Sequence, residues 1–393
     1  MNRRQLLAGA GAALGIGSLS GCVSVSNSRG DSAPSSPVSP LSLAPIRAST
    51  DRISRITVCT RAFRPLGPRI EAEKFDAKTV IHNYGHGGSG WSLSWGSGTQ
   101  AVRLALATGE KDIAVIGCGA LGLTAAIVAQ KAGLNVTIYA KDLPPNVRSS
   151  LASGVWTPSS RICYEQNATP ALKAQWEEAC RISFSQYQTL LGLPGDPIEW
   201  IDGYYIGDQQ RGTPRPAEPA DDRPKFAELE NELVPDLRQH SKEYAPGTHP
   251  FGPRYAYRYS WLMFNISAYS YFLISQFREA GGKIEIRDFH TPAEVLALRQ
   301  KTILNCTGYG AKALFGDQSI VPVRGQLARG PTQPDVRYSL FYNGVSFVPR
   351  RDGQVFQVTG SNDYYGFGDD GTVPDRAEAE RAVTTIAGLF AQP

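Results

Sequence analysis

The sequence predicts an α/β fold, and three observations carry that reading. Midway along the chain a short apolar strand, a G-x-G-x-x-G run, a helix and a second strand follow one another. With 393 residues, 41% hydrophobic and 10% aromatic, the chain is long enough for two or three lobes with a core. About the first fifty residues differ in composition from all that follows. The apolar fraction excludes wholesale disorder, and 40 glycines without a three-residue period exclude collagen. A net charge of +4 is too weak to imply a nucleic-acid partner.

The N-terminus reads as an address. A basic start, Met1–Arg4, is followed by an uncharged run to Leu19 made mostly of Ala, Gly and Leu. That run is shorter than the roughly 20 apolar residues of a spanning helix, so it reads as an export signal. Arg3 and Arg4 followed by Leu6 and Leu7 resemble a twin-arginine signal, whose translocon carries folded proteins. Leu19–Ser20–Gly21–Cys22 resembles a bacterial lipobox, which would leave Cys22 as a lipidated N-terminus; the alternative is a plain secretory signal with a chance cysteine. Ser24 to Thr50 holds nine Ser and four Pro among 27 residues and cannot bury a core. The expected organisation is an export signal over 1–22, a flexible tether over 23–53 and a folded domain over 54–393. The expected place is the periplasm, with a lipid anchor in the membrane at Cys22.

The chain has six cysteines, and lipidation of Cys22 would leave five, with no metal-like CxxC spacing. Cys118 and Cys306 sit in apolar strand-end contexts that suit buried thiols, so no essential disulfide is expected. His82, His86, His240, His249 and His290 show no metal-site pattern.

Ile113–Ile116 is the first strand of the central unit, and Gly117–Cys118–Gly119–Ala120–Leu121–Gly122 opens the helical run Leu123–Ala132. Gly133 ends that helix, and Val136–Tyr139 is the second strand. This βαβ order is the setting the Rossmann dinucleotide fingerprint requires. Gly117 permits the tight turn, Gly119 lets a pyrophosphate approach the backbone, and Gly122 permits close helix–strand packing. Free N–H groups at the helix N-terminus, Ala120 and Leu121 among them, then favour phosphate. The ribose-binding acid expected after the second strand is replaced by Ala140, with Lys141 and Asp142 following.

Before this unit, Ile81–His82–Asn83–Tyr84–Gly85–His86–Gly87–Gly88–Ser89–Gly90 is dense in glycine and leads into a helix expected over 98–108. It suits close backbone approach to a polar or anionic ring system. After the unit, helices are expected over 171–191, stopped by Gly192 and Pro194, and over 266–280, stopped by Gly281–Gly282. Residues 209–222 form a Pro-, Asp- and Arg-rich loop. A last helix starts in capping-box fashion at Asp375–Glu378, with Ala379, Val383, Ile386 and Phe390 on one face.

Phe63–Arg64–Pro65, the Ile81–Gly90 run, Gly154–Val155–Trp156–Thr157–Pro158, Asn305–Cys306–Thr307–Gly308 and Arg324–Gly325–Gln326 together resemble the D-amino-acid oxidase family of FAD enzymes. The resemblance spans Ser54 to Phe390, and that family also lacks the ribose acid at the usual place. It implies a Rossmann-like FAD-binding domain, assembled from 54–158 and 282–326, and a mixed-sheet substrate domain from 159–281 and 327–374. The motif order differs from the family's. There the G-x-G-x-x-G strand opens the chain and the FRP and GHGGxG segments close it; here Arg64 and Gly85–Gly90 precede Gly117. The chain therefore reads as a circular permutation, its old termini joined by Thr108–Lys111. The alternative, two incomplete fragments fused by artefact, would leave elements missing or duplicated, and none is.

The resemblance also implies roles. Arg64 would clamp the substrate carboxylate bidentately, with a surface ion pair as its bland alternative. Tyr342 would bond the same carboxylate, unless it is a core tyrosine. Ser346 stands where the family often has a second tyrosine, which suggests a roomier or more polar pocket. Gly88 would offer its carbonyl to the substrate amine. Gly87, Gly88, Ser89, Gly90, Trp91 and Ser92 would face the flavin ring. Ser149 and Ser150, with Gly154 and Trp156, would meet the phosphates and flavin edge, with core packing as the equal alternative for Trp156, and Arg148 could add a phosphate contact. Lys141 and Asp142 would lie near the ribose. No general base stands out, as expected if a neutral amine loses hydride directly to the flavin.

The implied activity is FAD-dependent oxidation of D-amino acids, with oxygen as acceptor and an imino acid that hydrolyses to keto acid and ammonia. A glycine or secondary-amine oxidase, or a quinone-linked dehydrogenase, is the enzymatic alternative. A non-catalytic flavin-binding lipoprotein is the alternative of another class. Monomer and homodimer both stay open.

Overall fold

In the computed structural model the described residues are 40–214 and 222–390. The export signal, Cys22 and the first part of the tether lie outside the described residues.

Three strands, β1 (Arg55–Phe63), β2 (Arg69–Phe75) and β3 (Lys78–Tyr84), lead into helix α1 (Gly90–Leu106). Strand β4 (Asp112–Ile116), helix α2 (Ala120–Lys131) and strand β5 (Asn135–Ala140) form the expected βαβ unit. Helix α3 (Pro170–Gln188), strand β6 (Ile198–Gly207), a short helix α4 (Glu230–Leu233), and strands β7 (Lys242–Tyr244) and β8 (Tyr255–Phe264) follow. Then come α5 (Ile266–Glu279), β9 (Lys283–Ile286), the short α6 (Pro292–Leu296), β10 (Thr302–Asn305) and the short α7 (Ala311–Leu314). Strands β11 (Val321–Gly330), β12 (Tyr338–Tyr342), β13 (Val345–Arg350) and β14 (Gly353–Val358) precede the final helix α8 (Arg376–Ala387).

Two sheets organise these elements. The smaller runs β2-β3-β10-β4-β5-β9, all parallel except the antiparallel edge strand β2. Its inner strands β3, β4 and β10 are buried on both faces, as strands covered by crossover helices must be. The larger runs β1-β11-β14-β13-β12-β6-β8-β7 and is mixed, with β12 and β6 parallel and the other neighbours antiparallel. The smaller sheet with its crossover helices is the expected Rossmann-like sheet, and the larger is the expected mixed sheet.

The residues before the βαβ unit take part in both sheets. β1 pairs along its full length with β11 in the larger sheet, and β3 pairs with β10 in the smaller. β1 and most of β11 thus lie outside the sheet to which 54–158 and 282–326 were assigned. The connection from α1 to β4 is the short segment 107–111, and Pro40 onward forms one compact unit.

Helix α1 starts well before the expected 98, because packing overrides its Ser- and Gly-rich sequence. A Cβ on Gly96 would lie 2.2 Å from the Ala179 carbonyl oxygen of α3, and one on Gly98 3.1 Å from Ala125 of α2. Both glycines are therefore close-approach positions between helices. Thr169 caps α3 by accepting from the Leu172 N–H, with Pro170 in the first turn. Asp375 caps α8 by accepting from the Glu378 N–H.

The tether reading holds for none of residues 40–53. Ile46 is 4% exposed, and Leu41, Leu43, Ala44, Ala48 and Ile53 pack on the core between the larger sheet and α8. The Leu41 N–H donates to the Thr248 carbonyl at 2.8 Å, and Gln333 donates to the Pro45 carbonyl at 2.7 Å. The few apolar residues of this Ser/Pro-rich stretch are enough to seat it.

Candidate active site

Two glycine-rich turns, far apart in sequence, open on one cavity of about 830 Å³. The first is the β4–α2 turn. Gly117 has φ +105, and a Cβ there would lie 2.7 Å from the Cys306 carbonyl oxygen. A Cβ on Gly122 would lie 2.1 Å from the Gly117 carbonyl oxygen, so neither position accepts a side chain. The Ala120 N–H donates to Ser149 Oγ at 3.0 Å, which ties the following turn to the α2 N-terminus. Gly117, Gly119, Ala120, Leu121, Lys141, Asp142 and Ser149 all line the cavity.

The second turn joins β3 to α1. Gly85 and Gly87 have φ of +89 and +54. The Gly87 N–H donates to the Ala62 carbonyl and the Gly88 N–H to the Ser160 carbonyl, both at 2.9 Å. Side chains are excluded here too: a Cβ on Gly87 would lie 2.0 Å from the Arg161 carbonyl oxygen. Gly87, Gly88, Gly90 and Trp91 line the cavity, and Trp91 Nε1 donates to the Ser149 carbonyl at 2.8 Å, joining the two turns. His86 is 3% exposed, with Nε2 at 2.7 Å from Ser97 Oγ. Burial pushes its pKa down to about 3, so the ring is neutral and holds the loop to α1.

Other expected residues stand behind the wall. Gly122 serves packing. Ser89 Oγ donates to the Ser160 carbonyl, and Ser92 Oγ accepts from the Thr157 N–H at 2.8 Å. Ser150 is buried, Gly154 takes φ +95 against the Phe264 carbonyl, and Trp156 packs in the core edge-on to Phe184. None of these six lines the cavity.

Three expected substrate residues are placed elsewhere. Arg64 does not line the cavity. Its Nε donates to Ser319 Oγ at 2.9 Å and lies 3.3 Å from the Asp317 carboxylate, and Nη1 donates to the Gly67 carbonyl at 2.9 Å. Tyr342 is also away from it: its hydroxyl meets Asp208 at 3.2 Å and Arg254 at 3.1 Å, under the Arg254 guanidinium. Ser346 lies directly across from Gln357, which does line the cavity, but Ser346 itself does not.

The cavity wall holds residues that motif reading missed. Arg287, Asp288 and His290 follow β9, and the Arg287 N–H donates to the Ala140 carbonyl at 3.0 Å. Asp288 thus joins Asp142 as a carboxylate near the end of β5, where Ala140 lacks one. Arg148, expected as a phosphate contact, also lines the wall, its guanidinium over the Tyr309 ring. On the larger sheet, Cys59, Arg61, Leu327 and Gln357 line the same cavity. Burial pushes the Cys118 and Cys306 thiols up to about 12, which makes them poor nucleophiles. Among the described residues no cluster of His, Cys, Asp and Glu could hold a metal.

The family model "FAD dependent oxidoreductase" (DAO) matches residues 112–392. A D-amino-acid oxidase of Dictyostelium discoideum is 27% identical over 286 residues, spanning 72% of this chain and 74% of its own. A D-amino-acid oxidase of Rubrobacter xylanophilus is 28% identical over 283 residues, spanning 70% of this chain and 76% of its own. Among solved structures, an L-amino acid deaminase from Proteus vulgaris matches with TM-score 0.46 and 14% identity, over 71% of this chain and 74% of its own.

Proposed function

Because the chain belongs to the DAO family of FAD-dependent oxidoreductases, we propose that it oxidises D-amino acids with oxygen as the electron acceptor. FAD is the cofactor of this family, and the residues present fit it. Gly117 and Gly122 form a cradle that a Cβ would fill, and the α2 N-terminus opens on the cavity beside Gly119. The pyrophosphate would sit there. Ser149 and Arg148 would add donors, and Asp142 or Asp288 would meet the ribose. Gly87, Gly88 and Trp91 would stand along the ring system.

When bound, FAD would supply a two-electron acceptor for the hydride equivalent at the substrate Cα, and oxygen would take those electrons on as hydrogen peroxide. The amino acid also gives up one N–H proton, becoming an imino acid, and water then releases ammonia and the keto acid. The chain's residues position this reaction. The Gly88 carbonyl would accept from the substrate amine and so fix the direction of the Cα–H bond. His86, kept neutral by burial, would hold the glycine loop rather than take the proton. The observation that carries the reading is the opening of two unrelated glycine turns on one cavity. One suits phosphates, and the larger sheet brings Arg61 and Gln357 to the same cavity.

The test is anaerobic. The FAD-loaded protein should be yellow and should bleach on addition of D-amino acids but not of L forms. Bleaching by glycine or a secondary amine alone would instead favour an oxidase of those substrates. Absence of bleaching by any amine would leave only a flavin-binding role. Admitting oxygen should then restore the colour and yield peroxide; restoration by a quinone alone would mean a dehydrogenase.

We also propose that the motif order is a circular permutation. The family model begins at residue 112, the first residue of β4, while β1, β2, β3 and α1 precede it and complete the two sheets. Export by a twin-arginine signal and lipidation at Cys22 belong to the same proposal. A flavoenzyme exported folded would carry its cofactor with it, which that route allows.

A further inference from the structure

We propose that Arg350 is a positioning residue for the bound flavin: through the Ala152 carbonyl it directs the Ser153 N–H into the cavity. This rests on FAD occupying that cavity. Arg350 is the last residue of β13 and is 2% exposed. Its guanidinium uses three arms. Nε donates to Asp352 Oδ1 at 2.8 Å and Nη2 donates to Asp352 Oδ2, while Nη1 leaves the pair and donates to the Ala152 carbonyl at 2.8 Å. Asp352 is held in turn by Ser267 Oγ at 2.5 Å and lies 3.6 Å from Arg329. A buried ion pair by itself is weak evidence for stability. What this one adds is a cation fixed on a single backbone carbonyl.

That carbonyl belongs to the cavity wall, which Leu151, Ala152 and Ser153 all line. The segment runs from Ser149, tied to the α2 N-terminus, to Val155, which bridges to Met263 of β8. Gly154, at φ +95, packs against Arg350: a Cβ there would lie 3.4 Å from Arg350 Cδ and 2.7 Å from the Phe264 carbonyl oxygen. The wall is therefore pinned on both sides of Ala152.

The Ala152–Ser153 peptide is trans, and in a trans peptide the C=O and the following N–H point in opposite directions. With the Ala152 carbonyl turned to Arg350, the Ser153 N–H is turned away from it. Among the described residues that N–H donates to no protein group. An unpaired backbone donor in a cavity wall is left for the occupant. A carbonyl bonded to a cation also polarises its peptide, which makes the N–H a stronger donor. Arg350 and Arg329 face one carboxylate, so the cluster behind the wall carries net positive charge. Both effects favour the reduced flavin, on which negative charge grows.

The test uses the FAD-loaded full chain and three variants, Arg350→Met, Arg350→Lys and Arg351→Met. Arg351 shares the turn but ties it to Glu199 at 3.1 Å and Asp196 at 2.8 Å, so its loss reports loosening of the turn alone. The readout is the midpoint potential of the bound flavin, titrated anaerobically against a reference dye, with the melting temperature alongside. Arg350→Met should lower the potential by about 30 mV, a tenfold change in the balance of oxidised and reduced flavin. Arg350→Lys keeps the charge but loses the fork; it should fall between, and it decides if the Met variant does not fold. Arg351→Met should lower the melting temperature and leave the potential where it is. A folded, yellow Arg350→Met protein with the wild-type potential would overturn the proposal. So would an equal shift in Arg351→Met, or, where only the Lys variant folds, a wild-type potential in Arg350→Lys. A wild-type chain that takes up no FAD removes the cofactor from this cavity and the proposal with it. One that takes up FAD but is bleached by no amine removes only the oxidase reading, and the potential still decides on Arg350.

Discussion

Gly87 has no room for even a methyl group, because a Cβ would lie 2.0 Å from the Arg161 carbonyl oxygen. The residue also holds φ +54, so Gly87→Ala is strained twice over. We expect this variant to lose about 1–3 kcal/mol of stability in denaturant melts and to be purified with less than its share of FAD. The histidines set a direction with pH. Burial lowers the pKa of His82, His86 and His249 below the ordinary 6.5, that of His86 to about 3. The folded state therefore binds fewer protons than the unfolded chain. Their contribution is complete above pH about 6.5 and is lost as pH falls toward the folded values. The melting temperature should hold near neutrality and fall steadily below pH 6.5, and His86→Asn should flatten that fall; a flat wild-type profile would contradict it. Legibility at this scale was uneven. The glycine positions were readable because a turn of that kind accepts nothing else. The place of Arg64 was not. Its donors go to Ser319, Gly67 and the Asp317 carboxylate, and Ser319 and Asp317 lie some 250 residues further along the chain.

Helix α8 shows how one element is tied to the larger sheet. Glu378, 4% exposed, meets Arg324 of β11 at 2.8 Å. Removing one member of a buried pair costs about 3–5 kcal/mol, but Asp369 still lies 3.9 Å from Arg324, so the figure should be reduced. Glu378→Ala is expected to lower stability by about 2–3 kcal/mol, read as a shifted midpoint in denaturant. Elements with end signals were legible: α3, α5 and α8 start within one residue of the expected positions, at a cap, a Pro or an apolar register. α1 was half missed, because its first turns carry Ser, Trp and Gly and owe their helicity to α2 and α3 packing on them. The segment from Pro40 to Ile53 was misread as tether for a related reason. Its composition is that of a linker, and only the groove beside α8 gives its five or six apolar residues somewhere to go.

At the scale of the whole molecule, residues 55–106 complete two sheets whose other strands all come later in the chain. If the order is a permutation, the α1–β4 connection is dispensable for the packed fold. Gly109 sits in it with φ +76 and open space around its Cα. A protease site placed there should be cut without releasing either fragment: the two should co-purify, yellow, with reduced but measurable turnover. Separation of the fragments would contradict the permutation. The architecture was legible because motifs that approach a dinucleotide tolerate so few residues. The cavity wall on the larger sheet was not, because it is built where β1, β11 and β14 meet and only pairing brings Arg61, Leu327 and Gln357 together. The central claim is that this cavity holds FAD beside an amino acid losing hydrogen from Cα. The most direct measurement is the rate of anaerobic flavin bleaching with D-alanine and with D-alanine deuterated at Cα. The account predicts bleaching that deuterium slows several-fold, with no bleaching by L-alanine. A FAD-loaded protein whose colour no amino acid changes would contradict it.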